Sequence, residues 1–433
     1  MTDLSDPDSR PFGVWTAAAL VMGGMIGSGI FVMPGQLAPF GWTGLAAWLV
    51  VIPGVLVLAT VVAKLIAARP DATGTGAVIG EALGPLAGLL INWSYWISAW
   101  SANAVLSQTA IRYLAVFEPR LASSDMALAI WSVVLLWLLT LYNLRGVQAA
   151  GRFQVVTTAL KILPLVAVIL IGGLLLGTGQ AGSAASELKP FSGSEFTIAM
   201  TLAFYAMVGF EAASVAAERV RDPARNIARA TLVGVALTGL LYFAVCAAIL
   251  LSVPASDVAA SPAPVALFVA SYWGEAASQV VAAFAIIAVV GCLNAWVLIQ
   301  GEHPLSLARA GLLPASLGVT SKRDVPVRVV ILGSLCASIL LVSAVSADGG
   351  LLTFMLNLTS AASLVFYIGC CLAAFRFRVA MGFAGVGIVF SIWALIGSGS
   401  AALLNLALMA TALPLYWWAR RSLPKNEASA ITS

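Results

Sequence analysis

A run of small residues interrupts the first apolar stretch of the chain. It reads Gly23-Gly24-Met25-Ile26-Gly27-Ser28-Gly29. Each glycine costs about 1 kcal/mol in a helix interior, so the cluster predicts a break. A break frees backbone amides on one side and carbonyls on the other. The amides of residues 27–29, at the positive end of a half-helix, suit a carboxylate. The carbonyls of Gly24 and Met25 suit an ammonium group, so the run predicts a site for an α-amino acid head group.

A second interruption occurs in the sixth apolar stretch, at Met207-Val208-Gly209-Phe210-Glu211. Two broken helices five stretches apart are what an inverted repeat of five helices produces, with the substrate between them at the membrane midplane. Carbonyls around Tyr205 and Val208 would then add to the ammonium site. The alternative is that the glycines only allow close helix packing.

Two charged residues within apolar stretches, Glu211 and Lys161, are candidates for function, because a charge within a span is by default a functional hypothesis. Glu211 is a candidate for gating or proton coupling; alternatively it is a structural partner of a backbone group or hydroxyl. Lys161 is a candidate for coupling; alternatively it snorkels or is paired structurally. The single histidine, His303, follows the eighth stretch, and we interpret it as a loop residue.

The composition predicts the elements that position these residues. The chain has 433 residues, of which 61% are hydrophobic and 9% charged, far from the roughly 25% charged residues of a soluble domain. A transmembrane helix needs about 20 apolar residues, and twelve such stretches are present. We predict an all-α membrane protein with twelve transmembrane helices, at 13–36, 40–66, 84–115, 125–143, 153–177, 195–217, 228–252, 268–300, 327–346, 350–374, 380–398 and 401–419.

The basic residues predict the orientation, because Lys and Arg are retained on the cytoplasmic side. With the N-terminus inside, 18 of the 22 fall in cytoplasmic segments, three (Arg112, Arg120 and Lys189) fall outside, and Lys161 lies within a span. We therefore expect a multi-pass inner-membrane protein with both termini in the cytoplasm. The net charge of +4 is no nucleic-acid signal.

Other classes of function fit less well. No HExxH, GxSxG or phosphate-loop motif occurs, so an enzyme is not expected. The five cysteines all lie in apolar stretches, so we expect buried apolar residues and neither disulfides nor a metal site. We expect no cofactor. A channel would need a polar path or rings of like charge along a pore, whereas the apolar stretches here carry only isolated charges. An amino acid sensor that does not transport its ligand remains an alternative.

Several motifs resemble the amino acid–polyamine–organocation (APC) superfamily, and its bacterial arginine/agmatine antiporter branch in particular. The resemblance covers nearly the whole chain. It is carried by Ile26-Gly27-Ser28-Gly29-Ile30-Phe31 with Pro34, Gly209-Phe210-Glu211, Ser214-Val215-Ala216-Ala217-Glu218, Asp222-Pro223-Ala224-Arg225-Asn226, Leu293-Asn294-Ala295-Trp296, and Ala308-Arg309 with Gly311-Leu312-Leu313-Pro314.

The resemblance implies a LeuT-like fold in one domain over 1–433, with repeats at 13–177 and 195–374, extra helices at 380–419, and often a homodimer. It implies a secondary active transporter that works by alternating access and exchanges a cationic amino acid, such as arginine, for its amine product, such as agmatine. It also implies roles for individual residues. Ser28 and Gly29 hold the carboxylate, with Ile26 and Gly27 of the same motif also at the substrate, and the carbonyls of Met25, Tyr205 and Val208 hold the amine. Trp296 stacks on the guanidinium, Ser98, Ala99 and Asn103 form the side-chain subsite, and Tyr95 and Glu211 act in gating and pH sensing.

Each of these roles has a simpler alternative. Trp296 could be a core or interfacial residue, Asn103 could bond a neighbouring helix, and Tyr95 could serve packing alone. The chain also departs from the branch at Gly24, Leu106 and Tyr205, which puts arginine specificity in doubt.

Lys161 is a further departure from the arginine/agmatine branch. It resembles a lysine of proton-coupled and sodium-independent neutral amino acid carriers of the superfamily, where it lies against the broken first span. In sodium-coupled relatives the sodium ion binds at this place, so a positive charge there argues against sodium coupling. A neutral amino acid carrier is therefore the alternative function.

Overall fold

The computed structural model describes residues 13–69, 75–146, 161–178, 182–211, 223–343 and 350–422. Within these ranges the chain is helical and shows no strand. In chain order the α-helices are α1 (Val14–Met25), α2 (Ser28–Leu37), α3 (Trp42–Ala68), α4 (Thr75–Leu83), α5 (Pro85–Leu114), α6 (Asp125–Asn143), α7 (Ile162–Gly177), α8 (Gly182–Glu187), α9 (Gly193–Ala206), α10 (Pro223–Leu250), α11 (Ala255–Ala260), α12 (Pro264–Trp273), α13 (Glu275–Arg309), α14 (Val327–Ser343), α15 (Leu351–Arg376), α16 (Met381–Gly397), α17 (Ser400–Ala410) and α18 (Ala412–Ser422).

The lengths and hydropathies of the helices agree with a membrane protein. In the described ranges, six helical stretches are long and apolar enough to cross a bilayer, or seven if α1 and α2 count as one bent span. Each of the twelve predicted stretches overlaps at least one of the helices α1–α18, several of which are shorter than a span. Large apolar side chains such as Leu49, Ile396 and Leu403 are exposed on the outside, as expected where lipid is the solvent.

The loops expected between the predicted spans differ from the structure at three places. The loop between the fifth and sixth spans, at 178–194, contains α8, and the loop between the seventh and eighth, at 253–265, contains α11 and the start of α12. Helix α13, which contains most of the eighth predicted span, continues to Arg309. The prediction that His303 is a loop residue is therefore wrong. A sequence pattern of Glu302, His303 and Pro304 suggests a helix end, but packing against neighbouring helices continues the helix for another two turns.

The long helix α5 lies at the centre of the bundle. It packs along α13 on one side and α15 on another, while α1 packs on α10, and α10 and α9 pack on α3. Most of α5 is buried, including the polar side chains of Ser98, Ser101, Asn103 and Ser107. Two of these groups have partners on neighbouring helices, since Ser101 bonds Thr359 of α15 and Asn103 bonds Gln300 of α13. Ser107 instead donates to carbonyls of α5 itself.

Candidate functional site

The predicted break in the first span is present. Helix α1 ends at Met25 and α2 begins at Ser28. Ile26 and Gly27 join them in non-helical backbone, with φ and ψ of −72° and 92° and of −131° and −132°. The two helix axes are bent by 53°. The N-terminal amides of α2 therefore face the same gap as the C-terminal carbonyls of α1.

The glycines of this break also allow close packing. A Cβ at Gly29 would lie 2.7 Å from both Cα and Cβ of Ala206, at the end of α9. A Cβ at Gly27 would lie 2.6 Å from Sγ of Cys292 on α13. The two explanations of the glycine cluster, a break and close packing, are therefore both seen in the structure.

The sixth span is interrupted as well. Helix α9 ends at Ala206, and a turn at Met207–Gly209 leads into a short helical turn at Phe210 and Glu211. Gly209 has φ +104°, and a Cβ there would lie 3.2 Å from the carbonyl oxygen of Gly24. Positive φ favours glycine, so this residue sets the direction in which the chain leaves α9. The motif residues 212–222 lie outside the described part.

A cavity lies between the two breaks. Seven of the predicted substrate-binding residues line it, with six further residues from the same helices and from α5, α13 and α15. The lining consists of Gly24, Met25, Gly27, Ser28, Gly29, Ala102, Leu106, Tyr205, Ala206, Val208, Cys292, Trp296 and Thr359.

Four of the lining residues escaped the sequence interpretation: Ala102, Ala206, Cys292 and Thr359. Cys292 precedes Trp296 by four residues, one helical turn, so periodicity could have found it. Ala102 precedes Leu106 by the same spacing. Thr359 donates or accepts a 2.8 Å hydrogen bond with Ser101 of α5, and no signal in the sequence indicates its place.

Hydroxyl groups connect the two breaks across the cavity. The Ser28 hydroxyl, at the first position of α2, shares a 2.7 Å hydrogen bond with the Tyr205 hydroxyl on α9. Both side chains are buried. The N-terminus of α2 carries a partial positive charge, so this edge of the cavity attracts an anion.

The carbonyl end of α1 has partners from within the protein. Tyr242 of α10 donates to the carbonyl of Met25 at 2.9 Å. Lys161 donates from Nζ to the carbonyl of Gly23 at 2.8 Å. The Met25 carbonyl, predicted to hold the substrate amine, thus already accepts one hydrogen bond, and only its second lone pair is left for a ligand.

Lys161 is completely buried, directly before α7. Its ammonium lies at the C-terminus of α1, where the helix dipole favours a cation. It is also close enough to Cys292 to interact with its thiol electrostatically. Lys161 therefore lies against the broken first span, behind the cavity wall and not among its lining residues.

The three residues of the predicted side-chain subsite lie on α5 but not at the cavity surface. Asn103 donates from Nδ2 to Oε1 of Gln300 on α13 at 2.9 Å. Gln300 in turn donates to the Val330 carbonyl and the Ser334 hydroxyl of α14 at 3.2 and 3.1 Å. Asn103 thus bonds a neighbouring helix, as the simpler alternative had it. Asn103, Ser98, Ala99 and Ile26 are buried but do not line the cavity.

A second polar cluster surrounds Glu211. Tyr95 of α5 donates its hydroxyl to Oε1 of Glu211, and Tyr367 of α15 donates to Oε2 at 2.7 Å. The ring of Tyr95 contacts those of His303 and Phe366, each with centroids 4.5 Å apart. We call these five residues the Glu211 cluster. It joins α5, α13, α15 and the segment that follows α9.

Known proteins resemble this chain over most of its length. Residues 12–426 match the amino acid permease family. A cadaverine/lysine antiporter of Escherichia coli strain K12 is 27% identical over 79% of this chain and 77% of its own length. A putative arginine/ornithine antiporter of Bacillus subtilis strain 168 is 28% identical over 83% and 82%, and the putrescine transporter PotE of Haemophilus influenzae is 28% identical over 74% and 73%.

Proposed function

The chain belongs to the amino acid permease family of membrane transporters, and we propose that it exchanges a cationic amino acid for a decarboxylated amine by alternating access. The relatives include antiporters of lysine and cadaverine and of arginine and ornithine. The observation that carries the proposal is the cavity between two helix breaks, with amides on one edge and carbonyls on the other. The protein is a transporter and not an enzyme.

The proposed substrate lies with its carboxylate on the amides of Ser28 and Gly29. This placement uses the positive end of α2. Its amine faces the carbonyls of Met25, Tyr205 and Val208. Trp296 supports the cationic side chain through a cation–π contact, worth about 2 kcal/mol when water is excluded.

The proposed architecture is a single domain with two inverted five-helix repeats, at 13–177 and 195–374, and two further helices at 380–419. Twelve spans place both termini in the cytoplasm, in agreement with the distribution of Lys and Arg. In this arrangement the broken spans α1–α2 and α9 occupy equivalent places in the two repeats. A homodimer is part of this proposal.

A second candidate function is a carrier of neutral amino acids, and two observations favour it. Lys161 is a buried cation next to the cavity. The wall formed by Ala102, Leu106 and Cys292 is apolar or weakly polar, and the Asn103 amide is bonded to Gln300. Such a site has little to offer a guanidinium besides Trp296.

Counterflow in proteoliposomes tests these proposals. Vesicles loaded with arginine, agmatine, lysine, cadaverine, ornithine, putrescine, leucine or methionine are assayed for uptake of the same labelled compounds. Uptake of a labelled cationic amino acid into vesicles loaded with its decarboxylated amine, and the reverse, supports the antiporter. Exchange of leucine and methionine alone refutes the cationic proposal and supports the neutral carrier. Binding without flux indicates a sensor.

A further inference from the structure

The Glu211 cluster contains a titratable group that neither the cavity nor the proposed binding mode uses. His303 is the chain's only histidine, and it lies half-buried within α13. It follows Gln300 by three residues, so both project toward α5. Gln300 binds Asn103 there, and the imidazole of His303 packs on the ring of Tyr95.

Tyr95 connects His303 to the carboxylate. Its ring contacts the imidazole while its hydroxyl donates to Glu211. Tyr367 holds the other carboxylate oxygen, so the segment after α9 is fixed by two tyrosines from two different helices. Any movement of that segment away from α5 must break the bond to Tyr95 or carry Tyr95 with it.

We propose that His303 is a titratable positioning residue of the Glu211 cluster. The neutral imidazole packs on Tyr95 and keeps its hydroxyl on Glu211, and protonation of His303 releases Tyr95 and opens the cluster. Imidazole is the side chain whose charge changes between about pH 5 and 8. An imidazolium held against apolar rings loses hydration, which it regains when the cluster opens to water. The proposal rests on the transport function proposed above, in which this opening is one step.

In the described part of the chain, other ionisable groups lie on the same helix as His303 and on the elements that form the Glu211 cluster. Glu302 and Arg309 lie on the same helix, and Glu302 also interacts with Asp324. From the neighbouring elements the groups are Tyr95 on α5, Glu211 after α9, and Tyr367 and Cys370 on α15. Glu211 is the principal competitor as the origin of a pH effect, so the test includes Glu211→Gln.

The critical variant is His303→Phe, which keeps a ring against Tyr95 but cannot take up a proton. Phe366→Leu is its matched control, because Phe366 also contacts Tyr95 with centroids 4.5 Å apart and does not titrate. Two readouts are compared at about pH 5.5 and 7.5. The first is the initial rate of counterflow. The second is alkylation of Cys370, a buried thiol beside the cluster, in a Cys371→Ala background, quantified by mass spectrometry.

The parent and each variant are compared at the same pH, so the chemistry of the thiol cancels. We expect the ratio of parent to His303→Phe alkylation to rise at least about fivefold from the higher to the lower pH, a typical size for coupling between two sites. The counterflow ratio follows the same direction. Phe366→Leu changes alkylation by the same factor at both pH values.

A ratio that stays constant between the two pH values overturns the proposal, as does a pH effect that disappears only in Glu211→Gln. The transport function is judged separately. If no compound of the panel is exchanged, the proposed function fails, while the alkylation ratio still decides the role of His303.

Discussion

The contact between Gly29 and Ala206 makes the broken spans sensitive to a single methyl group. In Gly29→Ala the new Cβ would lie 2.7 Å from Cα and Cβ of Ala206. Carbon atoms in van der Waals contact are about 3.5–4.0 Å apart. The start of α2 and the end of α9 must therefore separate by about 1 Å. Both partners include backbone or Cβ atoms, so a rotamer change cannot relieve the overlap.

Two costs follow from this separation. Overpacking of this kind destabilises a protein by about 1–3 kcal/mol. The displacement also changes the position of the amides at residues 28 and 29 and stretches the bond between Ser28 and Tyr205, which is 2.7 Å long. A hydrogen bond to a charged group contributes about 1.5–3 kcal/mol, and each 1.4 kcal/mol is a factor of ten in affinity. Loss of one amide contact with the substrate carboxylate should therefore weaken binding by about tenfold or more.

The matched control is Gly173→Ala in α7, where a Cβ meets nothing within 4 Å. Both variants are reconstituted, and their substrate Kd, counterflow rate and thermal midpoint in detergent are measured beside the parent. We expect Gly173→Ala to match the parent in Kd and counterflow rate and to have an equal or slightly higher thermal midpoint, because alanine is more favourable than glycine in a helix interior. Unchanged Kd and rate in Gly29→Ala would refute the reasoning that the close approach of the two breaks sets the site.

Three other substitutions test separate contacts. Lys161→Met removes the ammonium from the Gly23 carbonyl, and a hydrogen bond to a charged group is worth about 1.5–3 kcal/mol. We therefore expect the folded variant to show slower counterflow, or a different pH dependence of counterflow, than the parent. Flux equal to that of the parent at both of two pH values contradicts a coupling role. Ser28→Ala and Tyr205→Phe share one hydrogen bond, so their effects on Kd should be less than additive in a double-mutant cycle, and full additivity would show that they act independently. Gln300→Leu leaves buried polar groups without their partner and should lower the free energy of unfolding by about 1–3 kcal/mol; a parent-like thermal midpoint would count against this network.

The backbone of the site could be predicted from the sequence better than its side-chain partners. Glycine is unfavourable in a helix interior, so the local sequence alone predicts the break at residues 26 and 27 and the turn at Gly209. The same is true of the membrane class, because hydropathy is a property of each stretch. These features depend on residues close together in the chain.

Side-chain partners depend on which helices meet, and sequence spacing does not specify that. Asn103 and Gln300 are 197 residues apart, and either could have faced the cavity. His303 was misplaced for the same reason: polar neighbours suggest a loop, but the contact with Tyr95 on another helix is tertiary. Thr359 reaches the cavity only because α15 packs on α5.

The two sides of the first break differ in how completely the protein satisfies them, and this difference bears on specificity. The carbonyl end of α1 receives a lysine and a tyrosine from within the protein, whereas the amide end of α2 faces the cavity beside the hydroxyl groups of Ser28 and Tyr205. The cavity is therefore biased toward a negative group, and a substrate carboxylate supplies it. A decarboxylated amine lacks that group and must depend on Trp296 and the remaining carbonyls. Discrimination between the two proposed exchange partners would accordingly arise at α2, while Trp296 would discriminate between cationic and neutral side chains.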